Sequence, residues 1–174
     1  GTQPANEIRA AASAARVSLI MLLLSGGCGS RPDNITILRR KDSAMTIEDI
    51  GPKPQSFDLE QATRDNRNYR TVAWSGRYLQ VTLMSIPVGG DIGLEAHPAT
   101  DQFLRLEAGS GRAQMGATKD KLTFDEPVSD GWCVLVPAGT WHNITNTGTM
   151  PMQVYAIYAP AHHSPGKVHR TAAM

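Results

Sequence analysis

Glu95 and His97 stand two residues apart, in a run that opens with Gly89-Gly-Asp-Ile-Gly and closes at Gly109. Alternate side chains of an extended strand share a face, so a strand here points the carboxylate and the imidazole the same way. Gln102 follows Pro98-Ala-Thr-Asp101, a break long enough to re-aim the chain into a new strand. His142 follows Pro137-Ala-Gly139-Thr-Trp141, with Pro and Gly where a turn needs them. The four residues together offer one carboxylate, two imidazoles and one amide oxygen. Two His with one carboxylate suit Fe(II), Mn, Co, Ni or Zn and leave coordination positions open. Taken singly, each histidine reads equally as a hydrogen-bonded core group, and Glu95 as a surface carboxylate.

The spacing of these residues resembles the cupin superfamily. Its first motif reads G-x5-H-x-H-x(3,4)-E-x6-G, and Gly89, His97 and Gly109 match it, with Glu95 in place of the first His and Gln102 in place of the Glu. Its second motif, G-x5-P-x-G-x2-H-x3-N, is matched throughout by Gly131, Pro137, Gly139, His142 and Asn146. The resemblance covers roughly Tyr69 to Pro160 and is most similar to small single-domain cupins of the type-2 conserved barrel, often described as mannose-6-phosphate isomerase-like. It implies a divalent metal ion (Mn, Fe, Ni, Co or Zn) held by Glu95, His97, Gln102 and His142. Gln102 has a second reading, as a hydrogen-bond partner of a metal-bound water. Asn146 is expected in a turn or behind the ligands.

Seven further residues are candidates to line the pocket: Tyr155, Tyr158, Trp141, Phe103, Arg105, Gln114 and Met115. Core packing competes for the aromatic ones. Arg105, charged on an otherwise apolar strand, reads either as a bidentate clamp for a substrate carboxylate or phosphate or as a surface partner of Glu107. Tyr155 and Arg105 are the candidate catalytic residues, with a metal-bound hydroxide as the alternative base. Cys133 reads as a small buried apolar residue. His162 and His163 raise a second metal site, but Pro160, Pro165 and Gly166 favour an extended segment lying on the barrel.

The elements that would position these groups are short strands. Arg70–Trp74, Tyr78–Ile86, Gln102–Glu107, Arg112–Met115, Lys121–Phe124, Trp132–Val136 and Met152–Tyr158 alternate with Gly- and Pro-bearing turns, and that spacing indicates an all-β sandwich or barrel. The expected architecture is a cupin jelly-roll, a double-stranded β-helix barrel. One short helix precedes it, over Phe57 to Asn66 with Ser56 as N-cap. A small barrel fills its interior with side chains, so an inward polar cluster is costly unless satisfied. A metal satisfies Glu95, His97, Gln102 and His142 at once.

At 174 residues the chain has length for one domain with a real core. Net charge is +1; residues 1–44 carry six basic and three acidic groups, so the remainder is 1 − 3 = −2. A mildly acidic body with no helix-turn-helix pattern excludes a basic nucleic-acid surface. Residues 1–44 are a leader, signal-like or non-native extension: Arg39-Arg-Lys-Asp42 can be encoded by purine-rich codons resembling a ribosome-binding site before Met45. A cleaved export signal and a folded element are the alternatives. The apolar run Val17–Leu24 is 8 residues, far short of a membrane span. Residues 45–68 form an N-terminal arm with the helix, 69–160 the barrel and 161–174 a tail. Two cysteines in unlike contexts suit a reducing, cytoplasmic setting, with export the alternative if residues 1–30 are a true signal.

The resemblance implies a metal-dependent enzyme on a small polar substrate, sugar or sugar-phosphate isomerase-like. An Fe(II) dioxygenase and a non-catalytic metal- or ligand-binding barrel are the alternatives. Partners are then a small molecule and, as in similar single-domain cupins, a second copy in a homodimer.

Overall fold

The computed structural model describes residues 44–172. The readings of the leader as extension, signal or folded element fall on residues 1–43 and lie outside the described part. Among the described residues no helix is long and apolar enough to cross a membrane.

The first element is a helix, α1 (Leu59–Asp65). Its N-cap is Asp58 rather than Ser56, because the Asp58 carboxylate accepts the Gln61 amide at 2.9 Å and so satisfies a first-turn donor. Among the described residues nine strands follow: β1 (Arg70–Ser75), β2 (Gln80–Ile86), β3 (Asp101–Ala108), β4 (Ser110–Gly116), β5 (Phe124–Ser129), β6 (Cys133–Val136), β7 (Trp141–Thr145), β8 (Met152–Ala159) and β9 (Val168–His169). They form a six-stranded sheet in the order β6-β3-β8-β2-β1-β9 and a three-stranded sheet in the order β5-β4-β7, with antiparallel pairing throughout.

The strand expected at Lys121–Phe124 instead starts at Phe124 and runs through Pro127. β5 is an edge strand, and an edge tolerates a residue that cannot donate to the ladder. Lys121 closes a turn with Thr118. Strand β7, over the residues after the Pro137 turn, and the two-residue β9 were not anticipated as strands.

The inner strands of the large sheet, β8, β2 and β1, are mostly buried on both faces. Leu104, Leu106, Met84, Val154, Ala156 and Tyr158 join Ala113, Val128 and Ile144 of the small sheet in one core. The residues between them in sequence, Leu83, Phe103, Tyr155 and Ile157, face the other way and pack with Ala62 and Leu59 of the helix. Hydrophobicity alone does not mark the interior side of β2: Gln80, Thr82, Met84 and Ile86 are buried, whereas the apolar Val81 on the other face is only half-buried.

Candidate metal centre

The two motifs are stitched together by backbone. Glu95 and His142 form an antiparallel bridge in which each amide donates to the other's carbonyl, at 3.1 and 2.9 Å. Gly139 donates its amide to the His97 carbonyl at 2.8 Å, and the Asp101 carboxylate accepts the Ala138 amide at 2.8 Å. Gly139 has φ +78, a left-handed conformation that favours glycine and lets the turn before β7 close against His97. These contacts hold residues from distant parts of the chain at one end of the core.

Glu95, His97 and His142 each aim one ligand atom inward, and these atoms lie within 4.8 Å of one another. The Glu95 Oε1 atom is 3.3 Å from His97 Nε2 and 4.0 Å from His142 Nε2. All three atoms are buried without a hydrogen-bond partner, as is Gln102 Oε1. His142 Nδ1 lies 3.0 Å from the Thr140 carbonyl. A carbonyl only accepts, so Nδ1 carries the proton and Nε2 presents a lone pair to the cluster. Burial holds both imidazoles below their ordinary pKa; for His97 the Arg70 charge adds to this, and for His142 the Thr140 contact and Glu95 oppose it. Burial also raises the Glu95 carboxyl, against the opposing pull of Arg70.

Polar atoms that converge in a low-dielectric interior without hydrogen-bond partners are unfavourable. A divalent cation removes that penalty, since nitrogen lone pairs and a carboxylate oxygen are its ligands. The residues present therefore fit a metal ion.

Gln102 arrives by strand register. It stands opposite Tyr158 on β8, which stands opposite Gln80 on β2. Directly paired residues share a face, so the three form one inward row. Tyr158 is fully buried, 5.7 Å from His97 between ring centroids, and its hydroxyl sits beside that of Thr82 without a well-formed hydrogen bond. Burial raises its pKa well above the ordinary phenol value, so the hydroxyl stays protonated.

The structure does not bring Tyr155 or Arg105 to this row. Tyr155 lies on the opposite face of β8, 5.9 Å from Phe103 between ring centroids and packed with the helix. Arg105 is on the outer face of β3, half exposed, with Nε 3.4 Å from Glu107 Oε1. Both are corrected by strand parity: Tyr158 and Gln102 face inward, so residues three positions away cannot. Phe103 shares the outer face. Cys133 is likewise exposed rather than buried, because β6 turns Val134 and Val136 to the core and Cys133 and Leu135 outward. Asn146 is buried, its amide donating to the Ile86 and Met150 carbonyls, and so holds a turn behind the centre.

The tail brings residues that spacing did not assign to this centre. Gln80 accepts the His162 and His163 amides at 3.2 and 2.7 Å and donates to the His163 carbonyl at 2.8 Å. So latched, His162 packs on His97 with centroids 4.1 Å apart, and His163 packs edge-on against Tyr158. Arg70 is the other residue the sequence did not flag. It reads as an ordinary strand-start residue, and only its pairing with Met84, a core residue, shows that it faces inward.

Comparison with known proteins agrees with this geometry. Residues 82–158 match the family profile described as Cupin domain. YrkC of Bacillus subtilis is 50% identical over 133 residues, which span 76% of this chain and 72% of YrkC. The chain belongs to the cupin family. A protein of Acanthamoeba polyphaga mimivirus is similar to this cupin too, at 38% identity over 112 residues, covering 64% of this chain and 68% of the viral one. A crystal structure from Bacillus halodurans is 53% identical, with a TM-score of 0.70, over 71% of this cupin and 94% of that chain. Among the described residues the two antiparallel sheets and one short helix are thus those of a small single-domain cupin with a jelly-roll barrel.

Proposed function

We propose that this cupin binds one divalent metal ion through Glu95, His97 and His142, with Gln102 as a fourth ligand or as the partner of a bound water. The observation that carries the proposal is the convergence of three unpartnered buried ligand atoms within 4.8 Å, one of them with its tautomer set by Thr140. A metal so held leaves positions open and supplies Lewis-acid polarisation of a bound oxygen.

The protein's own residues then define the chemistry. The Tyr158 hydroxyl, kept protonated by burial, is a hydrogen-bond donor for a substrate oxygen rather than a base. His162 and Tyr158 pack against the His97 ring and against each other. These features favour an enzyme on a small polar substrate with adjacent oxygens, of which sugar or sugar-phosphate isomerisation is one reaction class. The two-His, one-carboxylate set equally suits Fe(II) oxygen chemistry, and that is the second reading.

Metal analysis of protein purified without chelator tests the proposal. About one equivalent of metal per chain is expected, and a metal-free protein that also takes up none on reconstitution would overturn it. Iron together with oxygen uptake selects the dioxygenase. Manganese, nickel or zinc with solvent-proton exchange into a sugar selects the isomerase. Bound metal without turnover on any substrate leaves the binding barrel.

A further inference from the structure

We infer that Arg70 is the anion-binding residue of this centre and that the ligand it selects is a small organic acid whose carboxylate meets the guanidinium. The inference rests on the metal-binding reading above. It starts from burial: Arg70 is 9% exposed, inward on β1, opposite Met84. Its guanidinium carbon lies 5.6 Å from the centroid of the Tyr69 ring, and Tyr69 belongs to the core shared by the two sheets.

Among the described residues Arg70 forms no salt bridge, its Nε is buried without a partner, and no carboxylate lies within 4.0 Å of it. Other arginines here have acidic partners. Arg64 reaches Glu60 and Asp130, Arg105 reaches Glu107, and Arg112 reaches Asp125, and all three are far more exposed than Arg70. An exposed arginine needs no partner, because water solvates it; a buried one does. The most buried of these four guanidiniums is the unpaired one.

Arg70 pairs with Met84, whose side chain belongs to the same core as Tyr158, and Tyr158 packs on His97. Arg70 acts electrostatically on Glu95, His97, His162, His163 and Tyr158. Glu95 alone balances Arg70 in the metal-free protein. A divalent ion on Glu95 leaves the centre with a formal charge of about +2, since +1 and −1 cancel and the ion's charge remains. A site of that charge, lined by neutral groups, selects an anion. A carboxylate is the anion whose two oxygens match the guanidinium fork while a neighbouring hydroxyl or carbonyl oxygen stays free for the metal.

The test compares lactate, pyruvate and malate with lactamide, which keeps the hydroxyl and carbonyl but not the charge, and with inorganic phosphate. Calorimetric titration is run on metal-loaded protein, with metal content measured on the same samples. The acids are expected to bind at least about tenfold more tightly than lactamide, and Arg70→Gln to weaken them by about 10- to 100-fold while leaving lactamide and metal content unchanged. If Arg70→Gln does not fold, Arg70→Lys, which keeps the charge and loses the fork, carries the test with an expected loss of about tenfold for the acids alone. Acids that bind no better than lactamide, or that bind the variant as well as the parent, overturn the assignment while stoichiometric metal leaves the metal reading standing. Phosphate binding more tightly than every acid, and depending on Arg70, overturns the carboxylate in favour of a phosphate. A parent protein that takes up no metal removes the reading beneath both.

Discussion

The two faces of strand β8 differ more than any two strands of the molecule. Tyr158 and Tyr155 are three residues apart, both tyrosines, both buried. Tyr158 looks into the shared core beside His97, with its hydroxyl unpartnered. Tyr155 looks out beneath the helix, among Leu83, Ala62 and Phe103. Composition and burial do not separate them; only parity does. The inner face collects groups whose hydrogen-bonding capacity is unspent, whereas the outer face packs Tyr155 and Ile157 with apolar residues of the helix and of β2. Catalytic potential in this fold therefore follows side-chain direction and not residue type.

The strongest way to break this comparison is to delete a ligand on the inner face. His97→Ala and His142→Ala are each expected to abolish stoichiometric metal, exceeding the about 10- to 100-fold affinity loss typical of removing a partner behind a ligand. Metal retained at parent level in either variant would mean the inner face is not a coordination site. The complementary change on the outer face is Tyr155→Ala. It should cost about 3–5 kcal/mol in unfolding free energy, as for other large aromatic deletions, and leave metal content per folded chain unchanged. A loss of metal at constant fold would erase the distinction between the faces.

A third test uses pH on the metal-free protein. Burial lowers the pKa of His97, His142, His162 and His163, the last to about 3. In the unfolded chain each titrates near its ordinary value of about 6.5. Below that value the unfolded state binds more protons than the folded one, so the stability these groups contribute is present above about pH 6.5 and is lost as pH falls toward the folded values. Glu95 acts in the opposite sense, since its raised pKa removes stability as pH climbs from about 4.5 through its folded value. Glu107, raised by burial as well, acts like Glu95, and four imidazoles against these two carboxylates predict a melting temperature that falls as pH drops from about 7 to 5; a flat profile would contradict the lowered imidazoles. The slope should persist in a Tyr155→Phe variant, because that change removes none of these groups.

The smallest expected effect belongs to Arg105→Ala. Arg105 is half exposed but Glu107 is buried, so losing the pair leaves a buried carboxyl unpartnered and should cost about 1–3 kcal/mol, and metal uptake should not change. A variant that lost metal or ligand binding outright would return Arg105 to the site that strand parity denies it.

The sequence by itself determined the strands' approximate places, the sheet-rich class and the four candidate ligands. Alternation, turn residues and motif spacing are local, and local patterns survive in one dimension. It also gave both readings of Arg105 and could not choose between them. Helix capping differed by two residues, because Ser56 and Asp58 are both competent caps and the choice depends on where the helix docks. The strand through Pro127 was hidden because proline is excluded from sheet centres, and only the finished sheet shows that β5 is an edge. Which tyrosine faces the metal centre, that His162 folds back over His97, and that Arg70 is buried without a counter-ion were decided by tertiary structure alone. The reason is physical: a sheet covered on both faces shows no polar side to read, and the charge balance of an interior depends on residues that meet only once the chain has closed.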